Sequence, residues 1–123
     1  MVNSQRSDRG AAAVEFALIV PILLLLVLGI TEFGRAYNVQ TTLSDAARAG
    51  VRTMAIHNSV SEAKESAKAA AASLPLADAQ ITVEPLTCDG STEPARVSVE
   101  HSVDLIFFPD VTLTGKGTMR CNG

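Results

Sequence analysis

An apolar stretch near the start of the chain, residues 11–30, sets the strongest limit on how the protein can fold. Its sequence is AAAVEFALIVPILLLLVLGI, and Glu15 is its only charged residue. Twenty residues of α-helix, at about 1.5 Å per residue, extend about 30 Å, which is the thickness of the hydrocarbon core of a bilayer. We therefore predict a transmembrane helix over residues 11–30.

The charges that flank this stretch predict its orientation. Arg6 and Arg9 precede it, whereas the chain that follows is acidic overall. Because positively charged flanks tend to stay in the cytoplasm, we expect a single-pass protein of the cell membrane with a cytoplasmic N-terminus and an extracytoplasmic C-terminus. The net charge is −3, and the sequence has no basic patch that could bind phosphate groups. We therefore expect no nucleic-acid partner.

The helical pattern continues beyond the apolar stretch. Residues 1–10 are polar and end in glycine, and we interpret them as a leader peptide. After residue 30, apolar and small residues recur at steps of three and four as far as Met54, which predicts one helix from about Ala12 to His57. We interpret 31–57 as an extracytoplasmic continuation of the transmembrane helix.

Small residues occupy part of the apolar face of this continuation. Ala46, Ala47 and Gly50 share that face. Small side chains permit the close approach of another helix, so these positions are candidates for helix packing. Alanine also favours helices by itself, and both interpretations remain open.

Residues 58–123 predict a small extracytoplasmic α+β domain. Ser61 can cap a second helix that runs to Leu74, before Pro75. Apolar residues then alternate with a period of two in three stretches, which lie near 81–83, 97–105 and 111–119. We expect an α+β fold with a long N-terminal helix, a short second helix and a small antiparallel sheet of about three strands.

The two cysteines predict a disulfide. Cys88 and Cys121 both lie in the part expected outside the membrane, where an isolated pair of cysteines is usually oxidised. The bond would connect the end of the first strand to the end of the last. No Cys-x-x-Cys or His pair is present, so we expect no metal site.

No pattern in the sequence indicates catalysis. His57 and His101 have no nucleophile or metal-spaced partner nearby in sequence, and TGKGT at 114–118 lacks the spacing of a phosphate-binding loop. The acids of CDGSTE also lack the spacing of a calcium loop. We therefore expect a structural protein with no catalytic residue, cofactor or small-molecule substrate.

Two adjacent aromatic residues allow two interpretations. Phe107 and Phe108 are half of the four phenylalanines. They could form an exposed docking point or cover the small core, and we favour the second interpretation.

The position of Glu15 suggests a role in assembly. If the leader were removed after Gly10, the new amine of Ala11 and the carboxylate of Glu15 would share a helix face, because they are four residues apart. An unpaired acid in lipid costs a few kcal/mol, so such residues usually have partners. In a bundle of such helices, Glu15 could pair with a neighbour's amine and fix the axial register.

The same residues resemble a known family. Gly10, Glu15 and Phe16 before an apolar helix resemble the cleavage region of type IV pilin-like proteins. The longer stretch 9–52 closely resembles the TadE-like family, pseudopilins of the tight-adherence (Flp pilus) machinery. The resemblance combines the Gly–Glu–Phe spacing with Pro21, EFGRA and DAARAG, whereas the sheet region and the TLTGKGTMR end resemble the family only loosely.

The resemblance implies both a fold and a function. It implies a pilin-like fold, cleavage by a prepilin peptidase between Gly10 and Ala11, and assembly guided by Glu15 beside Phe16. The partners would be the membrane, the peptidase, other pilins or pseudopilins and the pilus assembly platform, with incorporation in a pilus as a further location.

Other hypotheses compete with the pseudopilin. One is an uncleaved single-span scaffold of the same envelope apparatus, which the intact mass would distinguish. A removable signal peptide is less favoured, because Gly34-Arg35-Ala36 is a weak cleavage site and the apolar stretch is long for a signal core. A membrane-tethered enzyme has no residue constellation to support it.

Overall fold

The computed structural model describes residues 2–121, with side chains from residue 6 onward. It confirms the predicted α+β fold. Helix α1 comprises Val2–His57 and helix α2 comprises Val60–Ala70. A short 3₁₀ helix, Asp78–Gln80, is followed by the strands β1 (Ile81–Glu84), β2 (Ala95–Val103) and β3 (Val111–Met119). Contacts divide the chain into two compact units, Met1–Arg35 and Ala36–Gly123. We describe each unit by itself.

The first unit is the N-terminal part of α1. The helix begins at Val2, so the predicted start near Ala12 is wrong. A single glycine costs an exposed helix only about 1 kcal/mol relative to alanine, and Gly10 therefore does not end it. Large apolar side chains along residues 14–30 are mostly exposed, from 37% at Leu28 to 71% at Phe16 and Ile30.

In the second unit, the later part of α1 and helix α2 cover one face of the sheet. The strands form an antiparallel sheet in the order β1-β2-β3, with Ile81 opposite Val99 and Val99 opposite Gly115. The predicted period of two is confirmed, because the buried residues of each strand occupy every second position. The bounds differ, since β2 ends at Val103 rather than at residue 105. In β3 the buried positions are Gly115 and Gly117, whereas Val111 is exposed. The core consists mainly of alanine and valine side chains, and Leu43, Met54, Val97 and Val99 are fully buried.

Helix α2 begins two residues earlier than predicted. Ser59, rather than Ser61, is the N-cap, and its Oγ accepts a hydrogen bond from the backbone N–H of Glu62. The helix ends at Ala70 rather than Leu74, and its buried face consists of Ala63 and Ala67. A hydrogen bond of 2.8 Å joins Thr53 Oγ1 of α1 to Ser66 Oγ of α2.

Two glycines let α1 lie directly on β3. A Cβ atom at Gly115 would fall 2.3 Å from the carbonyl carbon and oxygen of Leu43. A Cβ atom at Gly117 would fall 2.7 Å from the carbonyl oxygen of Ala47. Glycine in a strand often marks such a close approach of another backbone, and here it fixes how closely the helix and the sheet pack.

Asn58 joins the end of α1 to the loop that carries the disulfide. Its φ of 50° lies in the left-handed region, which commonly ends helices, and its N–H donates to the carbonyl of Met54. Its Oδ1 accepts a 2.6 Å hydrogen bond from the N–H of Cys88, and its Nδ2 donates to Thr87 Oγ1. One side chain therefore holds two segments 30 residues apart in sequence.

We expect Asn58→Ala to lower the free energy of unfolding by about 2–3 kcal/mol, since alanine is strained at positive φ and cannot bond Cys88. Asn58→Gly relieves the strain but still lacks the hydrogen bonds, whereas Asn58→Asp keeps the acceptor. Urea unfolding of the three variants in detergent should therefore rank Ala as the least stable and Asp as the most stable. Equal stabilities would contradict this account of the junction.

The predicted disulfide is present. Cys88 and Cys121 are bonded, with their Cα atoms 5.4 Å apart. Cys88 is 1% exposed. The bond connects the loop between β1 and β2 to the residues just after β3, and it therefore closes the end of the sheet that lies beside Asn58.

Candidate functional site

The residues implied in cleavage and assembly lie together on the exposed first part of α1. Gly10, Ala11, Glu15 and Phe16 are all helical and exposed. A Cβ atom added at Gly10 would meet nothing within 4 Å, so the surroundings of this residue are open. Ala11 and Glu15 lie four residues apart on the helix, and therefore on the same side of it.

α1 is also the candidate membrane span. Among the described residues it is the one helix that is long and apolar enough to cross a bilayer, with a mean hydropathy of 2.8 over its most apolar 18-residue window. None of that window is buried within the protein. An apolar helix surface of this length needs lipid or other helices around it.

The small-residue face of α1 is buried within the same chain. Ala46 and Ala47 are fully buried. Gly50 lies beside α2 and β2, because a Cβ atom there would fall 3.1 Å from the carbonyl oxygen of Ala63 and 3.2 Å from a Val97 methyl carbon. The helix that packs closely on this face is therefore α2 of the same chain, and the sheet covers the rest.

The two histidines have ordinary surface partners. His57 Nδ1 lies 3.1 Å from a carboxylate oxygen of Glu62, and both side chains are more than half exposed. His101 Nδ1 lies 3.4 Å from the side-chain nitrogen of Gln80. No group of three or more His, Cys, Asp or Glu residues among the described positions could hold a metal ion.

One surface carboxyl group has a shifted pKa. The hydrogen bond and positive charge of Lys68 hold the pKa of Asp78 below its usual value. A carboxyl group whose pKa is lower in the folded protein than in the unfolded chain stabilises the fold at pH values above its unfolded-state pKa. That stabilisation is lost as the pH falls through its folded-state pKa. Asp78 is exposed at the surface, so its ion pair with Lys68 joins α2 to the 3₁₀ helix without forming a site.

The outer face of the sheet is polar and carries both signs of charge. It presents Arg96 and Lys116 beside Glu84 and Glu100, with threonines between them. Every one of these charged residues is exposed. An open, mixed-charge strand face of this kind suits contact with water and does not define a ligand pocket.

The favoured interpretation of Phe107 and Phe108 is wrong. The two side chains are 57% and 48% exposed in the loop between β2 and β3, and neighbouring Ile106 is 74% exposed. The core is closed without them by Leu43, Met54 and the strand valines. These phenylalanines follow Leu105, beyond the end of β2 at Val103, so they are not part of the buried alternation.

Sequence reasoning missed two groups of residues. Gly115 and Gly117 were discounted as a phosphate loop, although glycine at every second position of a strand pattern signals a close backbone approach. Asn58 directly follows the predicted end of the helix at His57, and the signal that could have identified it is the tendency of asparagine to adopt positive φ.

The structure thus defines a class of protein: a helix of bilayer length joined to a small, disulfide-bonded α+β unit. Residues 10–52 match the model of the TadE-like protein family, which confirms the resemblance over that segment. The family is associated with Tad pilus systems and is a structural family. No curated protein and no solved structure matches the chain.

Proposed function

We propose that the protein is a minor pilin or pseudopilin that takes part in assembling Flp (tight-adherence) pili or the related secretion machine. The observation that carries the proposal is the extent of the TadE-like segment. It begins at Gly10, includes Glu15 and Phe16, and continues through the apolar helix into the second unit. The proposed partners are the membrane, a prepilin peptidase, other pilins or pseudopilins and the assembly platform.

The proposed processing step is cleavage between Gly10 and Ala11. Both residues are exposed. They lie within α1, so a peptidase must unwind the helix locally before it reaches the peptide bond. Glycine lowers the cost of that unwinding, because it is about 1 kcal/mol less favourable than alanine within a helix.

The proposed orientation has the N-terminus in the cytoplasm and the second unit outside. Arg6 and Arg9 before the apolar stretch support this orientation. The Cys88–Cys121 bond is consistent with it, because disulfides persist in oxidising compartments.

Assembly would use the surface of the first unit. Ala46, Ala47 and Gly50 are buried within the chain, so they are not available to a second subunit. The exposed side chains of 11–30 are available, and packing them against other pilin helices would remove them from lipid. Glu15 would then pair with the Ala11 amine of a neighbouring subunit, which sets the axial register of the bundle.

We expect Glu15→Ala to be inserted and cleaved normally but to fail in pilus assembly. Cleavage depends on residues at the cut, and removing a charge from the span eases insertion by up to about 3 kcal/mol. The measurements are membrane fractionation, intact mass, and crosslinking to pilin partners. Glu15→Asp keeps the charge with a shorter reach, and should give intermediate assembly.

Two results would contradict the proposal in different ways. Normal piliation with Glu15→Ala would show that the carboxylate has no role in assembly. Gly10→Glu is the matched control for processing, because a charged residue at the cleavage site should block cleavage. This variant should therefore keep the mass of the full chain. If wild type and Gly10→Glu both keep all ten leader residues in cells with the peptidase, the protein is an uncleaved single-span scaffold.

A further inference from the structure

We infer that the loop between β2 and β3, with Tyr37, contacts the surface of the lipid bilayer and holds one end of the second unit against it. The inference rests on the membrane anchoring in the proposed function. The loop comprises residues 104–110, and its exposed apolar side chains are Ile106, Phe107 and Phe108.

The loop lies at the end of the second unit where the chain enters it. Within this unit β3 and α1 run in the same direction, because Gly115 meets Leu43 and Gly117 meets Ala47. The side chain of Gln40 donates a hydrogen bond to the carbonyl of Thr114, which agrees with this direction. The start of β3, and the loop before it, therefore lie beside the start of the unit's helical segment at Ala36.

This end of the unit cannot be far from the membrane. Residues 31–35 alone separate the predicted span from Ala36. Even a fully extended chain covers at most about 3.6 Å per residue, so Ala36 stays within about 20 Å of the end of the span. The far end of the sheet can lie much farther from the membrane, because β3 extends away from this end for nine residues.

Tyr37 provides a second, independent observation at the same end. It is the only tyrosine in the chain, and its side chain is 76% exposed on α1. Tyrosine concentrates at membrane surfaces, because its ring enters the apolar boundary while its hydroxyl stays hydrated. Tyr37 and the two phenylalanines thus place three exposed aromatic rings at one end of the second unit.

The charges at the loop indicate which lipids it contacts. Asp104 and Asp110 border the apolar residues, and residues 104–110 include no lysine or arginine. Anionic headgroups attract basic segments and would repel these carboxylates. The contact is therefore an apolar one, with lipid that need not be anionic.

The chain contains no tryptophan, so one introduced residue is a unique fluorescent probe. Phe107→Trp places the probe in the loop. Leu86→Trp is the matched control, since Leu86 is 77% exposed in the connection between β1 and β2, at the opposite end of the sheet. Each full-length variant is reconstituted into phosphatidylcholine vesicles, with or without phosphatidylserine, and flotation first establishes that it is inserted.

We expect brominated phosphatidylcholine to quench about half of the Phe107→Trp emission, with a blue shift, and to leave the Leu86→Trp emission unchanged. Phosphatidylserine should not increase the quenching. Equal emission from the two floating variants, or quenching that requires phosphatidylserine, would overturn the bilayer contact and leave the proposed function intact. Loss of the loop quenching when pilin partners are added, with crosslinks from the loop to those partners, would assign the loop to a protein and also overturn it. Failure to float would overturn both the contact and the proposed anchoring.

Discussion

Gly115→Ala is expected to destabilise the second unit by about 3 kcal/mol or more, which is the upper end of the usual cost of overpacking. The added Cβ would meet the carbonyl carbon and oxygen of Leu43 at 2.3 Å. Both atoms belong to the backbone, so no change of side-chain rotamer can relieve the contact. The helix must move away from β3, and the packing of Leu43 and Ala47 is lost with that movement.

Urea unfolding of the full chain in detergent, followed by circular dichroism, measures this effect. Gly117→Ala should cost less, because its closest contact would be 2.7 Å, and Gly50→Ala less again, at 3.1 Å. Gly34→Ala is the matched control, since a Cβ atom there meets nothing within 4 Å. If Gly115→Ala were as stable as Gly34→Ala, the direct contact between α1 and β3 would be wrong.

Removal of the disulfide should have an effect of similar size. The bond joins residues 33 apart in sequence, and closing a loop of that length stabilises a fold by about 3–4 kcal/mol in the chain-entropy model. Domains are typically stable by about 5–15 kcal/mol. We therefore expect the double variant Cys88→Ala/Cys121→Ala to lose a large share of the stability of the second unit.

The same unfolding measurement, repeated on wild type with a reducing agent, provides the control for the alanine substitutions. Reduced wild type and the double variant should unfold at similar urea concentrations, and oxidised wild type at a higher one. Thiol labelling of the denatured, unreduced protein should find no reactive cysteine. Two labelled cysteines in protein recovered from its native membrane would contradict the bond and weaken the argument for an extracytoplasmic second unit.

Local patterns in the sequence predicted most of the fold. The steps of three and four residues through Ala47, Gly50 and Met54 identified the buried face of α1, and the period of two identified the strands. These signals are local, because they depend on the geometry of one helix or strand. The disulfide was predictable because the chain has only two cysteines.

The errors arose where distant segments or single residues decide the structure. The contact between Gly115 and Leu43 joins residues far apart in sequence, so no local window contains it. The predicted start of α1 near Ala12 is too late, because apolar periodicity marks only the apolar part of a helix, whereas helix propensity does not require apolar residues and α1 begins at Val2. The favoured interpretation of Phe107 and Phe108 as a cover for the small core is wrong, because both rings are about half exposed, as apolar residues on protein surfaces commonly are.

For the candidate site, the sequence was informative because the segment itself is local. Gly10, Glu15 and Phe16 lie within seven residues, and a family match covers them. The helix that packs on Ala46, Ala47 and Gly50 was not predictable, because a face of small residues can pack against a helix of the same chain as well as against one from a partner. Only the position of α2 resolves that choice.

The Cys88–Cys121 bond also determines how the second unit would respond to mechanical tension. A pull applied between α1 and the residues after β3 passes through the sulfur–sulfur link and bypasses the intervening chain. Both β2 and β3 lie within that covalent loop. Complete unravelling would therefore release about 110 Å less chain than in a reduced protein, at up to about 3.6 Å per residue. The longest strand pair would be shielded from the applied force until the bond itself was reduced.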